Sequence, residues 1–92
     1  MTYKILYHHR VKEKDFSHLD LHTKKKIIDT IEERLSIEPE KYGKPLRKPL
    51  ARHWKLRIGK YRVVYKIMKD EIWILAVIHR NNVYGTVLRR IF

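Results

Sequence analysis

The sequence contains no cysteine. Disulfide bonds therefore cannot stabilise the fold, and no thiolate can act as a nucleophile or a metal ligand. This absence fits a reducing compartment, and we expect a cytoplasmic protein. Long apolar runs are also missing, because the longest one, residues 72–78, is far shorter than the ~20 residues that cross a bilayer. The first ten residues are too polar for a signal peptide, so we expect no membrane partner.

Acidic residues are scarce in the second half of the chain. The formal net charge is +12, yet residues 1–40 hold eight basic and eight acidic residues and are neutral as a whole. Eleven basic residues and no acidic residue lie between Glu40 and Asp70. A chain this small repels itself at such a charge density, and the usual reason to tolerate it is a polyanionic partner. An anionic membrane would require an amphipathic basic helix, which this segment does not resemble.

Several motifs of known chemistry are absent. The sequence has no glycine-rich phosphate loop, no GxSxG nucleophile motif and no Cys/His pair. The histidines of the first half, at positions 8, 9, 18 and 22, do not have metal-ligand spacing supported by carboxylates. We therefore interpret them as surface residues and expect neither a cofactor nor a metal site.

The first half predicts one strand and two helices, within a single domain over residues 1–92. Residues 3–7 are typical of a short strand, and Val11, Phe16 and Leu19 suggest a short first helix. A second helix is predicted from about residue 21 to residue 37, with Asp20 or Thr23 as its cap. Its apolar stripe recurs at helical spacing and consists of Ile27, Ile28, Ile31 and Leu35.

The second half predicts three strands. Proline and glycine indicate a loop after residue 38, and apolar residues then alternate with period two on either side of Gly59-Lys60, a two-residue hairpin turn. Residues 72–78 are apolar on both faces and predict a strand covered on both sides. Trp54 and Trp73 are expected in the core. The predicted fold class is α+β, a small antiparallel sheet of one N-terminal and three C-terminal strands, packed by two N-terminal helices and followed by a short tail or helix.

The hairpin register predicts a cationic face. A two-residue turn places Arg57 directly opposite Arg62, a like-charge pair that normally destabilises a sheet. The face they share is predicted to contain His53, Lys55, Arg57, Arg62 and Lys66. Ordinary solvated charges are the alternative, but an exposed face usually mixes signs. We therefore interpret this surface as an anion-binding face.

Residues that follow the last strand extend this interpretation. His79 and Arg80 end that strand, and Tyr84 comes four residues after Arg80. Single-stranded RNA is recognised by aromatic rings that stack on bases beside guanidinium groups that hold phosphate. A tyrosine in a C-terminal tail can equally be a packing residue. The sequence favours RNA as the polyanion.

Two segments resemble a known family. Residues 55–65, Lys-Leu-Arg-Ile-Gly-Lys-Tyr-Arg-Val-Val-Tyr, resemble the central hairpin of the RelE/ParE toxin superfamily, and residues 79–84, His-Arg-Asn-Asn-Val-Tyr, resemble its C-terminal arginine-to-tyrosine segment. The predicted order of strands and helices matches as well, so the likeness covers nearly the whole chain. The Arg80/Tyr84 segment is the feature that distinguishes RelE-like nucleases from ParE-like gyrase inhibitors.

The resemblance implies a function and its residues. RelE-like members bind the ribosomal A site and cut mRNA there, so we expect a metal-independent endoribonuclease whose partners are mRNA, the ribosome and a cognate antitoxin. The implied catalytic positions are Lys55, Arg57, Arg62, Arg80 and Tyr84. His53 stands where well-known members have a second lysine, so the base is either Lys55, which we favour, or His53. The cationic residues expected to bind RNA are Lys44, Arg47, Lys48, Arg52, Lys66 and His79.

Two other functions remain open at this point. A ParE-like toxin would inhibit gyrase without cutting RNA, and a plain RNA-binding module would share the charge pattern without catalysis.

Overall fold

The computed structural model describes residues 2–91 and contains one five-stranded sheet in the order β1-β5-β4-β3-β2. The strands are β1 Lys4–Tyr7, β2 Lys44–Pro45, β3 Trp54–Ile58, β4 Tyr61–Met68 and β5 Glu71–His79. The α-helices are α1 Leu21–Thr30, α2 Pro39–Tyr42 and α3 Val83–Ile91. Single π-helical turns span Val11–Asp15 and Ile31–Leu35, and 3-10 turns span Phe16–His18 and Arg80–Asn82. This arrangement confirms the predicted α+β class.

The N-terminal helical segments form as their patterns predict. The Asp20 side chain caps α1 by accepting a hydrogen bond of 2.6 Å from the backbone N–H of Thr23. Ile27, Ile31 and Leu35 are buried against the sheet. Burying side chains of this size stabilises a fold by about 1.5–3 kcal/mol each, so this stripe is what holds the helix on the sheet.

The hairpin of β3 and β4 has the predicted register. Gly59 occupies its turn with φ of +58°, a conformation that side chains with a Cβ rarely adopt. Five pairs are formed, and Arg57 lies opposite Arg62 as expected. Leu56 and Val63 form the pair at the centre of the hairpin, and both are buried in the core beneath the N-terminal helices.

The sheet differs from the prediction at both edges. β1 pairs in parallel with β5, whereas the prediction was an antiparallel sheet. The chain crosses one face of the sheet as helices between β1 and the hairpin, and such a crossover permits a parallel return. At the other edge the two residues of β2 pair antiparallel with β3, inside a segment predicted to be a loop. Proline and glycine in this segment favour a loop, so this short strand was not predicted.

Both faces of the sheet carry a core. The first lies under the N-terminal helical segments, and the second packs Val64, Ala76 and Ile78 against Leu50 and, from α3, Val87. The C-terminal half of β5 is therefore covered on both sides, whereas double cover was predicted for all of residues 72–78. Among residues 2–91, no helix combines the length and the apolar character that a membrane crossing needs.

The two tryptophans are less buried than predicted. Trp54 is half-buried, and Trp73 is 41% exposed and donates a hydrogen bond of 3.0 Å from Nε1 to Glu71. The assignment of Trp73 to the core was wrong. It pairs with Lys66 towards the other end of the sheet, beyond the part that α3 covers.

Candidate functional site

Three structural elements converge on one open pocket of about 440 Å³. The hairpin supplies Lys55 from β3 and Arg62 from β4, the 3-10 turn after β5 supplies Arg80, and the first turn of α3 supplies Tyr84. Asn81, Val83 and Gly85 complete the lining, which contains no carboxylate among the residues that the structure describes. The pocket thus combines three cationic side chains with one aromatic ring. Four of the six residues predicted to be catalytic lie together here.

The guanidinium of Arg62 is held in place by its own hairpin. Its Nη1 donates hydrogen bonds to the carbonyl oxygens of Gly59, at 3.0 Å, and Tyr61, at 2.9 Å. Desolvation and the positive charges of Arg57 and Arg80 lower the pKa of the Arg62 guanidinium. The positive potentials of Arg57, Arg62 and Arg80 therefore add together at the Arg62 guanidinium, and this favours the binding of an anion.

The ring of Tyr84 forms part of the pocket surface. The side chain is 39% exposed, and its hydroxyl accepts a hydrogen bond of 3.3 Å from the backbone N–H of Arg47. This contact links α3 to the loop before β3. An aromatic ring that is fixed at its edge and open on its surface can stack on a nucleic-acid base.

The remaining predicted residues lie outside the lining of this pocket. Arg57 is exposed beside Arg62. Lys66 and His79 are half-buried, Lys66 opposite Trp73 and His79 opposite Tyr61. The cationic loop side chains are all exposed, and they are Lys44, Arg47, Lys48 and Arg52. Lys44, opposite Lys55, and Arg47, hydrogen-bonded to Tyr84, therefore extend the basic surface beyond the pocket, whereas His79 lines a different cavity.

Unlike Lys55 and Arg62, with which it was grouped, His53 is buried and does not line the pocket. The residue is only 9% exposed, and its Nδ1 is buried without a hydrogen-bond partner among the described residues. Lys44 pairs with Lys55 across β2 and β3, and the contact between Leu46 and His53 continues this pairing, so the alternation of β3 extends back to His53 and burial removes its side chain from the exposed surface. The carbonyl oxygen of His53 accepts a hydrogen bond from Leu46, which keeps the segment folded against the second core.

One ion pair near the site was not foreseen. Asp15 and Arg90 are 75 residues apart in sequence and form a buried pair at 2.8 Å. Asp15 also accepts a hydrogen bond from the backbone N–H of Val77, and Arg90 donates one to the carbonyl oxygen of Leu75, at an irregularity in β5. The pair fixes α3, and with it Tyr84, to the sheet.

Metal-ligating side chains do not cluster in the described part of the chain. Within residues 2–91, no group of three or more histidine, aspartate or glutamate side chains is arranged to hold a metal ion. The cations that the site offers are its own lysine and arginine side chains.

Known proteins share both this sequence pattern and this geometry. Residues 5–84 match the family described as the ParE toxin of the type II toxin-antitoxin system, parDE. Toxin RelG of Mycobacterium tuberculosis is 44% identical over 52 residues, which are 54% of this chain and 60% of RelG. The chain thus matches less than two thirds of the length of that relative.

Two solved structures share the fold over most of the chain. One chain of the toxin–antitoxin complex RelBE2 from Mycobacterium tuberculosis is 30% identical with a TM-score of 0.81, and the match covers 87% of this chain and 93% of that one. A mutant of Escherichia coli toxin RelE in the free state matches over the full length of both chains, with a TM-score of 0.68 at 19% identity. The family match and these likenesses lead to one conclusion: the chain belongs to the RelE/ParE superfamily of toxins of type II toxin–antitoxin systems.

Proposed function

We propose that this toxin is a RelE-like endoribonuclease that cuts mRNA, in the ribosomal A site, by attack of a 2′-OH on the adjacent phosphate. The observation that carries the proposal is the pocket where Lys55, Arg62, Arg80 and Tyr84 meet, with no carboxylate among its described lining residues. Such a pocket attracts a phosphodiester and can stack a base beside it. We extend the proposal to residues 1–92 as one toxin domain.

The arginines stabilise the charge of the reaction. When the 2′-oxygen attacks phosphorus, negative charge develops on the phosphate oxygens, and fixed cations stabilise it more than they stabilise the ground state. Arg62 is pre-oriented by its two hydrogen bonds, and Arg57 adds a second permanent charge beside it. Arg80 lies across the pocket and stabilises the departing 5′-oxygen. Tyr84 stacks on a base and holds the nucleotide in line for the attack.

Lys55 is our choice for the base. The 2′-OH gives its proton to Lys55, the 2′-oxygen bonds to phosphorus, and the bond between phosphorus and the 5′-oxygen breaks. A 2′,3′-cyclic phosphate is formed, and the 5′-oxygen takes a proton from Arg80 or water and leaves as a hydroxyl. Lys55 lines the pocket and takes the proton in its neutral form, whereas His53 lies buried outside the lining. This difference in position supports Lys55 over His53.

A cognate antitoxin is the second partner that we propose. RelBE2 was solved as a toxin–antitoxin complex, and so was a RelB–RelE pair from Methanococcus jannaschii that shares the fold, with a TM-score of 0.62 at 21% identity. An acidic antitoxin segment would neutralise the cationic face, so its binding should weaken as salt is added. A complex that leaves Arg57, Arg62 and Arg80 uncovered would show that inhibition does not depend on masking them.

Cleavage on translating ribosomes tests the proposal. The purified toxin is added to ribosomes that translate a defined mRNA, and cut sites are mapped by primer extension. We expect cleavage in the A-site codon, and a decrease of about 100-fold or more for Arg62→Ala, as when a group that stabilises developing charge is removed. Lys26→Ala is the matched control, because Lys26 is an exposed cation on α1. Inhibition of gyrase supercoiling without any RNA cleavage would instead identify a ParE-like activity.

A further inference from the structure

A second cavity, of about 810 Å³, lies on the other side of the turn that carries Arg80. Pairing between β1 and β5 ends at Tyr7 and Ile74, but β5 continues to His79 and leaves a notch beyond β1. The helical turns of residues 10–18 form one wall of the notch and α3 forms the other. None of the residues that line this cavity was predicted as part of a site except His79.

The lining of this cavity is strongly cationic. Lys14 and Arg89 are exposed on opposite walls, and Arg10 lies beside them. Asp15, which supplies the carboxylate of the lining, is already neutralised by Arg90 and accepts the N–H of Val77. Among the lining residues that the structure describes, no unpaired negative charge therefore opposes an anion in the cavity.

Two histidines of the lining present hydrogen-bond donors. Nδ1 of His8 accepts the backbone N–H of Arg10 at 3.0 Å, and Nδ1 of His79 accepts that of Asn81 at 3.3 Å. A neutral imidazole whose Nδ1 accepts a hydrogen bond carries its proton on Nε2. Both rings thus keep an N–H that can donate to a ligand, even when they are uncharged. N–H donors together with the cations of Lys14 and Arg89 are what a phosphate group requires.

The second cavity is adjacent to the first pocket along the chain. The turn Arg80–Asn82 contributes Arg80 and Asn81 to the first pocket and Asn82 to the second. The two cavities therefore meet at this turn.

We propose that the second cavity, at Lys14, Arg89, His8 and His79, is a subsite for a backbone phosphate of the same RNA strand, outside the nucleotides that are cut. This inference rests on the proposed nuclease function. It commits to RNA as the ligand, because the turn Arg80–Asn82 lines both cavities.

Oligonucleotides of two lengths test the subsite. Binding of 2′-O-methyl RNA, which cannot be cut, is measured by fluorescence anisotropy over a range of salt concentrations. A trinucleotide fills the first pocket alone, and a strand of about twelve nucleotides reaches both sites. The test variant is Lys14→Ala combined with Arg89→Ala. The control replaces Lys12 with alanine, because Lys12 is an exposed cation of the same helical turn that does not line the cavity.

We expect the double variant to bind the long strand roughly tenfold more weakly, with the slope of log Kd against log salt reduced by about 0.7 for each phosphate that the protein no longer neutralises. Its affinity for the trinucleotide and its cleavage of a short substrate stay unchanged. An equal decrease for the Lys12→Ala control, or an equal decrease with the trinucleotide, would overturn the subsite. The subsite would also be overturned if the double variant bound RNA as the parent does but bound a polyglutamate peptide more weakly, since the cavity would then bind an acidic protein. A parent protein that neither binds the trinucleotide nor cuts RNA would refute the nuclease function itself.

Discussion

The opposed arginines of the hairpin predict a repulsive coupling that can be measured. Arg57 and Arg62 face each other across β3 and β4. Replacing each by alanine, and then both, gives a double-mutant cycle on the free energy of unfolding. If the pair exists for phosphate binding, either single substitution relieves the repulsion. The second substitution then adds less to the free energy of unfolding than the same substitution adds in the parent protein.

The expected magnitude follows from the register. Two unit charges ~5 Å apart repel by about 0.8 kcal/mol at the dielectric constant of water, and cross-strand pairs are worth about 0.2–1 kcal/mol. Hydration of the two guanidinium groups reduces the repulsion, so we expect a coupling free energy of about 0.5 kcal/mol. Arg62 also donates to two carbonyl oxygens of the turn. Arg57→Ala should therefore stabilise the free protein, whereas Arg62→Ala should change its stability little.

Thermal and urea unfolding at two salt concentrations give the free energies of unfolding of the four proteins in the cycle. A stabilisation of about 0.5 kcal/mol raises Tm by about 2–4 °C in a domain of this size. The coupling should shrink as salt is added, because screening hides repulsion. A control cycle pairs Arg57 with Lys26, an exposed cation on α1, and should show no coupling. Zero or attractive coupling between Arg57 and Arg62, or one insensitive to salt, would refute the argument that this face is destabilised for function.

Substitutions at three further positions test the packing and the site. Asp15→Asn leaves Arg90 buried without its partner and should destabilise the protein by about 3–5 kcal/mol in urea unfolding; a decrease below about 1 kcal/mol would contradict the role of the pair. Gly43→Ala places a Cβ against the hydroxyl of Tyr65, well inside van der Waals contact, so we expect a destabilisation of about 1–3 kcal/mol, and unchanged stability would refute this close packing. Tyr84→Phe keeps the aromatic ring and should keep RNA cleavage, whereas Tyr84→Ala should reduce the cleavage rate roughly 100-fold. Equal cleavage rates for these two variants would exclude a stacking role for the ring.

Local patterns predicted much of this molecule. The register of the hairpin follows from one two-residue turn, and the stripe of α1 follows from helical spacing, so both could be obtained from neighbouring residues. The convergence of Lys55, Arg62, Arg80 and Tyr84 was foreseen because the resemblance to RelE-like toxins singled out those positions.

Features made by distant segments could not be predicted in this way. The parallel pairing of β1 with β5 joins residues that are 67 positions apart, such as Lys4 and Glu71. The burial of His53 accompanies the packing of Leu46 and Leu50 into the second core, and the second cavity exists because the pairing of β1 with β5 ends before β5 does. No periodicity in the sequence marks where one strand stops beside another.

The ends of the RNA products test the central claim most directly. The toxin is incubated with a ribosome-bound mRNA, EDTA is added only after the complex has formed, and the new 3′ ends are analysed by mass spectrometry. Catalysis by Lys55, Arg62 and Arg80 alone predicts continued cleavage and a 2′,3′-cyclic phosphate. Control ribosomes without toxin account for any damage that chelation causes. Products with a free 3′-OH, or cleavage that EDTA abolishes while the ribosomes remain intact, would contradict the account.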